Sequence, residues 1–213
     1  MMQNREKMNF IGITGGVGCG KSMVLKYLES EYGADIIYSD ILVARLCEPG
    51  GECLEMIKQN IPEVFPESVI GLDGRMDRVE MGRVVFESPI CRSTLNAIIH
   101  PTVKKEVCRI ADEKRASGKC SLLILEAALL IEERYDLICD ELWYIYSPED
   151  LRRQRLKEHR GYSDEKITSM MASQLSDREF RAGCDVVIDN SGTKEQCHKA
   201  ISVQLRKKKY LLR

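Results

Sequence analysis

The sequence predicts an α/β fold of three layers, α/β/α, with about five mostly parallel strands. Three observations predict it. Short apolar runs alternate with helical patterns along the chain. A glycine-rich segment, Gly15-Gly16-Val17-Gly18-Cys19-Gly20-Lys21-Ser22, stands between the first apolar run and the first helical pattern. The last three apolar runs are rich in Leu, Ile and Val, as strands covered on both faces should be. Bulk composition agrees. The 213 residues, 31% of them charged at nearly balanced sign, suffice for one substantial core with a small helical insertion. A net charge of −1 gives no drive toward nucleic acid or an anionic membrane.

Asn9 to Thr14 reads as the first strand, and Met23 to Leu28 as the start of the first helix, with apolar positions recurring at three and four residues. Asp35 to Tyr38 reads as the second strand, followed by a helix from Ile41 to Cys47. The interval to the third strand, Ser121 to Leu125, is about eighty residues and mostly helical, too long for one crossover helix. Within it Val103, Val107, Ile110 and Ala111 form one stripe, which predicts a helix from Pro101 to Ala116. Pro101 suits its first turn, and Gly118 its end. The fourth strand is Glu141 to Tyr146. Ser147-Pro148-Glu149-Asp150 then reads as a helix start. This helix carries Arg152, Arg153, Arg155, Lys157 and Arg160. A second helix starts at Ser163-Asp164-Glu165-Lys166, with Ile167, Met170, Met171 and Leu175 on one face. The last strand is Asp185 to Asp189. The pattern predicts a single domain over residues 1–213: a core (1–48, 119–150, 183–213), a helical region able to bind an acceptor (49–118) and a helical lid (151–182).

The glycine segment fits G-x-x-x-x-G-K-[ST], the phosphate-binding P-loop, with no mismatch. Its glycines let backbone N–H groups curl around phosphate oxygens, and the following helix N-terminus aims partial positive charge at the same place. Gly16, Val17, Gly18, Cys19, Gly20, Lys21 and Ser22 are therefore the expected nucleotide contacts. Lys21 can reach the β- and γ-phosphates and the Ser22 hydroxyl can hold Mg²⁺. Glu126, after the third strand, stands where an acid that holds metal or water should be. Asp40 follows the second strand, placed to accept the proton of an attacking hydroxyl or to cap the next helix. Arg155, with Arg160, can reach the phosphates from the lid, whose closure would exclude water. The implied cofactors are ATP and Mg²⁺.

The nine cysteines are dispersed, their count is odd and no C-x-x-C occurs, so free thiols in a reducing cytoplasm are expected. Zinc does not fit, because His100, His159 and His198 are scattered too. Cys19 has two readings, a thiol activated by the loop or a small residue the loop tolerates. The longest apolar stretch, Leu122 to Ile131, is interrupted by Glu126 and too short to span a membrane.

Taken in order, several segments resemble the dephospho-coenzyme A kinase family. They are Ile11 to Ser22, Asp40 with Ala44-Arg45, Glu48-Pro49-Gly50 and Asp73 to Arg78. Val85-Phe86, Leu95-Asn96-Ala97-Ile98-Ile99-His100-Pro101, Leu129 to Glu132 and Asp185 to Gly192 complete the set. The resemblance spans residues 9–205. It implies transfer of the ATP γ-phosphate to the ribose 3′-hydroxyl of dephospho-coenzyme A. It makes Asp40 the base, with Lys21 and Arg155 stabilising the phosphates. Arg78, Asn96 and His100 would help form the acceptor site, and Asn190 and Gly192 would lie by the adenine. His100 has a second reading as a cap or packing residue before Pro101. The chain departs from the family pattern at Tyr38 and Glu126, each where aspartate is usual, and at Ala128, where proline is. It also departs at His159-Arg160, where arginine and aspartate are common, and at Phe180, near which a basic residue is common. A kinase acting on another nucleotide-like acceptor and a nucleotide-binding regulator without transfer activity are the alternatives. Small-molecule partners are expected, not nucleic acid or membrane.

Overall fold

The first apolar run forms β1 (Asn9–Thr14), the central strand of a five-stranded sheet in the computed structural model, which describes residues 8–207. The other strands are β2 (Asp35–Tyr38), β3 (Leu122–Glu126), β4 (Glu141–Tyr146) and β5 (Val186–Asp189), in the order β2-β3-β1-β4-β5. β1 pairs in parallel with β3 and β4, and β4 pairs in parallel with β5. Ile11 lies opposite Ile124, and Ile13 opposite Trp143. A central parallel strand has both faces covered, which is why Phe10, Ile11, Ile13, Ile124, Leu125 and Trp143 are all buried. β5 differs from its expected pattern. It alternates buried and exposed residues, with Val187 38% exposed, because only one of its faces is covered. It also starts one residue late. Asp185 instead clamps β4: its N–H donates to Leu142 O at 2.9 Å and its carboxylate accepts the Leu142 N–H at 2.8 Å.

The chain divides into two compact units. The sheet unit runs to Ile37 and resumes at Glu113. Its helices are α1 (Lys21–Tyr32), α6 (Glu149–Arg160), α7 (Asp164–Ala172), α8 (Asp177–Gly183) and α9 (Lys194–Lys207). The α9 helix packs on α1 and β5, and α8 packs on β4. The helical unit, Tyr38–Asp112, holds α2 (Ser39–Leu46), α3 (Glu52–Gln59), α4 (Arg78–Glu87) and most of α5 (Pro89–Ser117). It has its own apolar cluster, which includes Ile57, Phe65, Val69, Met81 and Ile98.

Two helices differ from the sequence reading. One begins at Pro89, not Pro101, and Pro101 lies inside it. Ser88 supplies the true start: its Oγ accepts the Cys91 N–H at 3.2 Å, and Pro89 sits in the first turn, where a missing N–H is harmless. Buried residues before and after Pro101 (Cys91 and Ile98, then Thr102, Val103 and Val107) hold the chain helical across it. His100 is therefore mid-helix and caps nothing. The other, α2, starts at Ser39 rather than Ile41, with Tyr38 before it and no side-chain cap. Asp40 lies in its first turn and does not cap it.

Lys114 Nζ donates to Asp35 Oδ2 at 2.8 Å and holds that carboxyl below its ordinary range. Both side chains are about half exposed, so the pair is worth at most about 1 kcal/mol. The depressed carboxylate stabilises the fold above its unfolded pKa, and this is lost as pH falls through the folded value. Lys114→Met is expected to return Asp35 to the ordinary carboxylate range in an NMR titration. It should cost less than about 1 kcal/mol at neutral pH.

Candidate functional site

The glycine segment forms the turn from β1 into α1. Gly20, just before the helix, has φ 92°, a left-handed backbone that favours glycine. A Cβ there would also overlap the Asn190 Nδ2 atom. Among the described residues, the N–H groups of Gly18, Gly20, Lys21 and Ser22 have no intramolecular acceptor. They form an open row at a helix N-terminus, which is the arrangement that binds an anion.

The back of the loop is tied down. The Cys19 carbonyl accepts from Asn190 Nδ2 at 2.8 Å and Arg155 Nη1 at 3.3 Å, with Ser147 Oγ at 3.2 Å. Arg155 Nη1 also donates to Ser147 Oγ at 3.0 Å, and Arg155 Nη2 to Asn190 O at 2.9 Å. Cys19, Ser147 and Asn190 are all buried. In a trans peptide the carbonyl and the next N–H point in opposite directions. Holding Cys19 O inward therefore turns the Gly20 N–H outward. At the other end of the loop, Lys21 Nζ donates to Gly15 O at 2.7 Å.

Ser147, the serine of the expected helix start, puts its hydroxyl into this network rather than on a cap. The α6 helix starts after Pro148 without a side-chain cap. The other expected cap holds, with Ser163 Oγ accepting the Lys166 N–H at 3.3 Å. Gly161, at φ 62°, makes the turn between α6 and α7.

Two residues that sequence reasoning missed also touch the loop. Gln174, just past α7, accepts the Val17 N–H through Oε1 at 2.8 Å. The Arg152 guanidinium lies over Gly16, where an added Cβ would overlap Nη1 and sit 3.1 Å from Cζ. The available signal for Arg152 was its spacing: three residues before Arg155, it shares that face of the helix. Gln174 carried no comparable signal. Behind them Tyr144 donates to Asp177 Oδ1 at 3.1 Å. Burial and the Asp177 charge push the Tyr144 hydroxyl up, against the opposing charge of Arg152. Phe180 is buried and stacks on Tyr144 at 4.7 Å, while Arg181 lies over Tyr146 at 4.5 Å. Packing accounts for an aromatic residue at Phe180.

The sheet unit thus brings together Gly16 to Ser22, Arg155 and Asn190. Gly192 lies two residues beyond Asn190, where a Cβ would overlap Gln196 Oε1. The Ser22 side chain is exposed in the first turn of α1, and Glu126 closes β3 opposite Ile13. A hydroxyl and a carboxylate are hard oxygen donors. They fit Mg²⁺, which keeps water and phosphate ligands, better than they fit a softer metal. The Cys19 thiol is 1% exposed, which favours the packing reading of that residue. In the helical unit Asp40 is exposed in the first turn of α2. Arg78 opens α4 and lies 3.8 Å from Glu48 Oε1. Asn96 and His100 are four residues apart on α5, so they share one helix face.

A family model described as dephospho-CoA kinase matches residues 9–196. The chain belongs to the dephospho-CoA kinase family. The dephospho-CoA kinase of Carboxydothermus hydrogenoformans is 33% identical over 200 residues, 94% of each chain. The crystal structure of TT1252 from Thermus thermophilus superposes with a TM-score of 0.74 at 29% identity, over 94% of this chain and 98% of that one. The dephospho-CoA kinase from Campylobacter jejuni shares the fold, with a TM-score of 0.70 at 20% identity, over 96% and 100%. The family match includes both the P-loop and Asn190, the residue that ties its back.

Asn190→Ala removes a donor from a buried carbonyl and is expected to cost about 1–3 kcal/mol in thermal or urea unfolding. It should also weaken ADP binding in calorimetry, because the shortest of the bonds that hold Cys19 O inward, and with it the Gly20 N–H outward, is lost. Unchanged ADP affinity would show that the loop keeps its form without this bond.

Proposed function

We propose that this protein transfers the γ-phosphate of ATP to the ribose 3′-hydroxyl of dephospho-coenzyme A, giving coenzyme A. The observation that carries the reading is the family match across residues 9–196, with an intact P-loop whose amides are open. Gly16 to Ser22 hold the phosphates, and Lys21 follows the charge as it moves between β- and γ-oxygens. Ser22 and Glu126 would hold Mg²⁺, which supplies charge neutralisation when bound. Asp40 takes the proton of the attacking hydroxyl. Its exposure without a capping bond supports that role, since the carboxylate is not used in starting α2. Arg78, Asn96 and His100 contribute to the acceptor site, and Asn190 and Gly192 lie by the adenine. Residues 49–118 serve as the acceptor region and residues 151–182 as the lid of a single kinase domain. Nine free cysteines support a reducing, cytoplasmic location. Among the described residues, no helix is long and apolar enough to cross a membrane.

The test is incubation of purified protein with ATP, Mg²⁺ and dephospho-coenzyme A, followed by mass spectrometry. A product heavier by one phosphate, at the 3′ position, is expected. Phosphorylation of a different nucleotide alcohol, with none here, would move the acceptor assignment. ATP binding with no transfer to any acceptor would favour a regulatory role. Asp40→Asn is expected to retain ATP affinity in calorimetry and lose at least about a hundredfold in turnover. Unchanged turnover would remove Asp40 from the chemistry.

A further inference from the structure

Cations near the loop divide into two kinds. Arg153 pairs with Glu149 at 2.8 Å, Lys157 with Asp164 at 2.7 Å and Arg181 with Asp177 at 2.8 Å. Among the described residues Arg155 meets no carboxylate, but its two terminal nitrogens are engaged by Cys19 O, Ser147 Oγ and Asn190 O. Arg152 has neither. Among the described residues its Nε is buried with no hydrogen-bond partner, and no ion pair to it is seen. Arg152 itself is only half-buried, but a buried guanidinium nitrogen without a partner is costly, and proteins seldom keep one without an anion to meet. The carboxylate of Asp177, which also faces Tyr144, is already taken by Tyr144 and Arg181.

Its position says which anion. The backbone of Arg152 packs on Gly18, where a Cβ would sit 2.8 Å from Arg152 O. The guanidinium then crosses Gly16, one residue from the Gly15 carbonyl that Lys21 Nζ touches. In a P-loop the lysine ammonium serves the β- and γ-phosphates. Arg152 therefore stands at the terminal-phosphate end of the loop. The amides of Gly20, Lys21 and Ser22 are at the other end. Gln174 Oε1 lies beside it, 3.5 Å from the same Cβ position on Gly16.

We propose that Arg152 is the catalytic arginine that neutralises the transferred phosphoryl group, and that Arg155 is a positioning residue acting through the Cys19 carbonyl. This rests on the phosphotransfer reading and assigns within it a residue that the motif did not mark. The planar fork of Arg152 can donate two parallel bonds to phosphoryl oxygens, and the bond to a phosphate supplies the anion that its buried Nε lacks.

The test compares binding of ADP and of the non-hydrolysable β,γ-imido analogue of ATP, both with Mg²⁺, in wild type, Arg152→Gln, Arg152→Lys and Arg155→Lys. Arg152→Gln is expected to bind ADP within about twofold of wild type. The triphosphate analogue should bind about tenfold to a hundredfold more weakly. Arg152→Lys should recover part of that loss. Without nucleotide, Arg152→Gln should melt no lower than wild type, since a buried nitrogen without a partner has been removed. Arg155→Lys should weaken both nucleotides alike. An unchanged ratio of the two affinities in Arg152→Gln, or a lower melting temperature with both affinities reduced, would overturn the assignment. Failure of wild type to phosphorylate dephospho-coenzyme A while the ratio still changes would refute the acceptor, not Arg152.

Discussion

One buried carbonyl sets the orientation of everything that faces the phosphates. Cys19 O is held by Arg155 on α6 and Asn190 after β5, with the Ser147 hydroxyl after β4 sharing its one proton between Cys19 O and the nearer Asn190 O. A carbonyl drawn inward turns the following amide outward, so the hydrogen bonds behind the loop shape its front. Each bond contributes modestly, but a buried carbonyl left without its donors would lose the full desolvation cost. The network therefore also joins the ends of β4 and β5 to the loop that follows β1. These are neighbouring parallel strands, whose carboxyl ends lie side by side.

The same economy explains the charges. Arg153, Lys157 and Arg181 each meet a carboxylate on their own helix or the next, which stabilises the surface by tenths of a kcal/mol. Lys21 and Arg152 do not. One rests on a backbone carbonyl of the loop and the other carries a buried, unpaired nitrogen. Together with the open amides of Gly18, Gly20, Lys21 and Ser22, they make one end of the sheet unit electropositive on a chain whose net charge is −1. Neutrality overall with a local positive funnel suits a small, highly charged ligand rather than a polyanion.

Much of this was legible in the sequence, and the limits are physical. Asn9–Thr14, Asp35–Tyr38 and Glu141–Tyr146 were read to the residue; the first and last are buried strands, and β2 is a short apolar run set between a helix end and a helix start. The P-loop was legible because its chemistry fixes a contiguous pattern. The helix through Pro101 was not, since local rules treat proline as a start and tertiary burial on both sides overrode them. Ser147 stands at a helix start as expected, but its hydroxyl is used elsewhere. A serine before a helix is usually a cap, and only the long-range approach of Asn190 and Cys19 gives its hydroxyl another use. From the sequence, Arg155 and not Arg152 was chosen to reach the phosphates. Which of two arginines on a helix face finds acceptors depends on what the fold places opposite each.

The most direct measurement is an amide ¹H–¹⁵N NMR titration of the protein with ADP and Mg²⁺. The Gly20, Lys21 and Ser22 resonances are expected to move downfield and saturate together, as amides held outward take phosphate oxygens. Those resonances staying in place while ADP binds elsewhere would contradict it. So would their moving equally in Asn190→Ala, since the inward pull on Cys19 O would then not be what aims them.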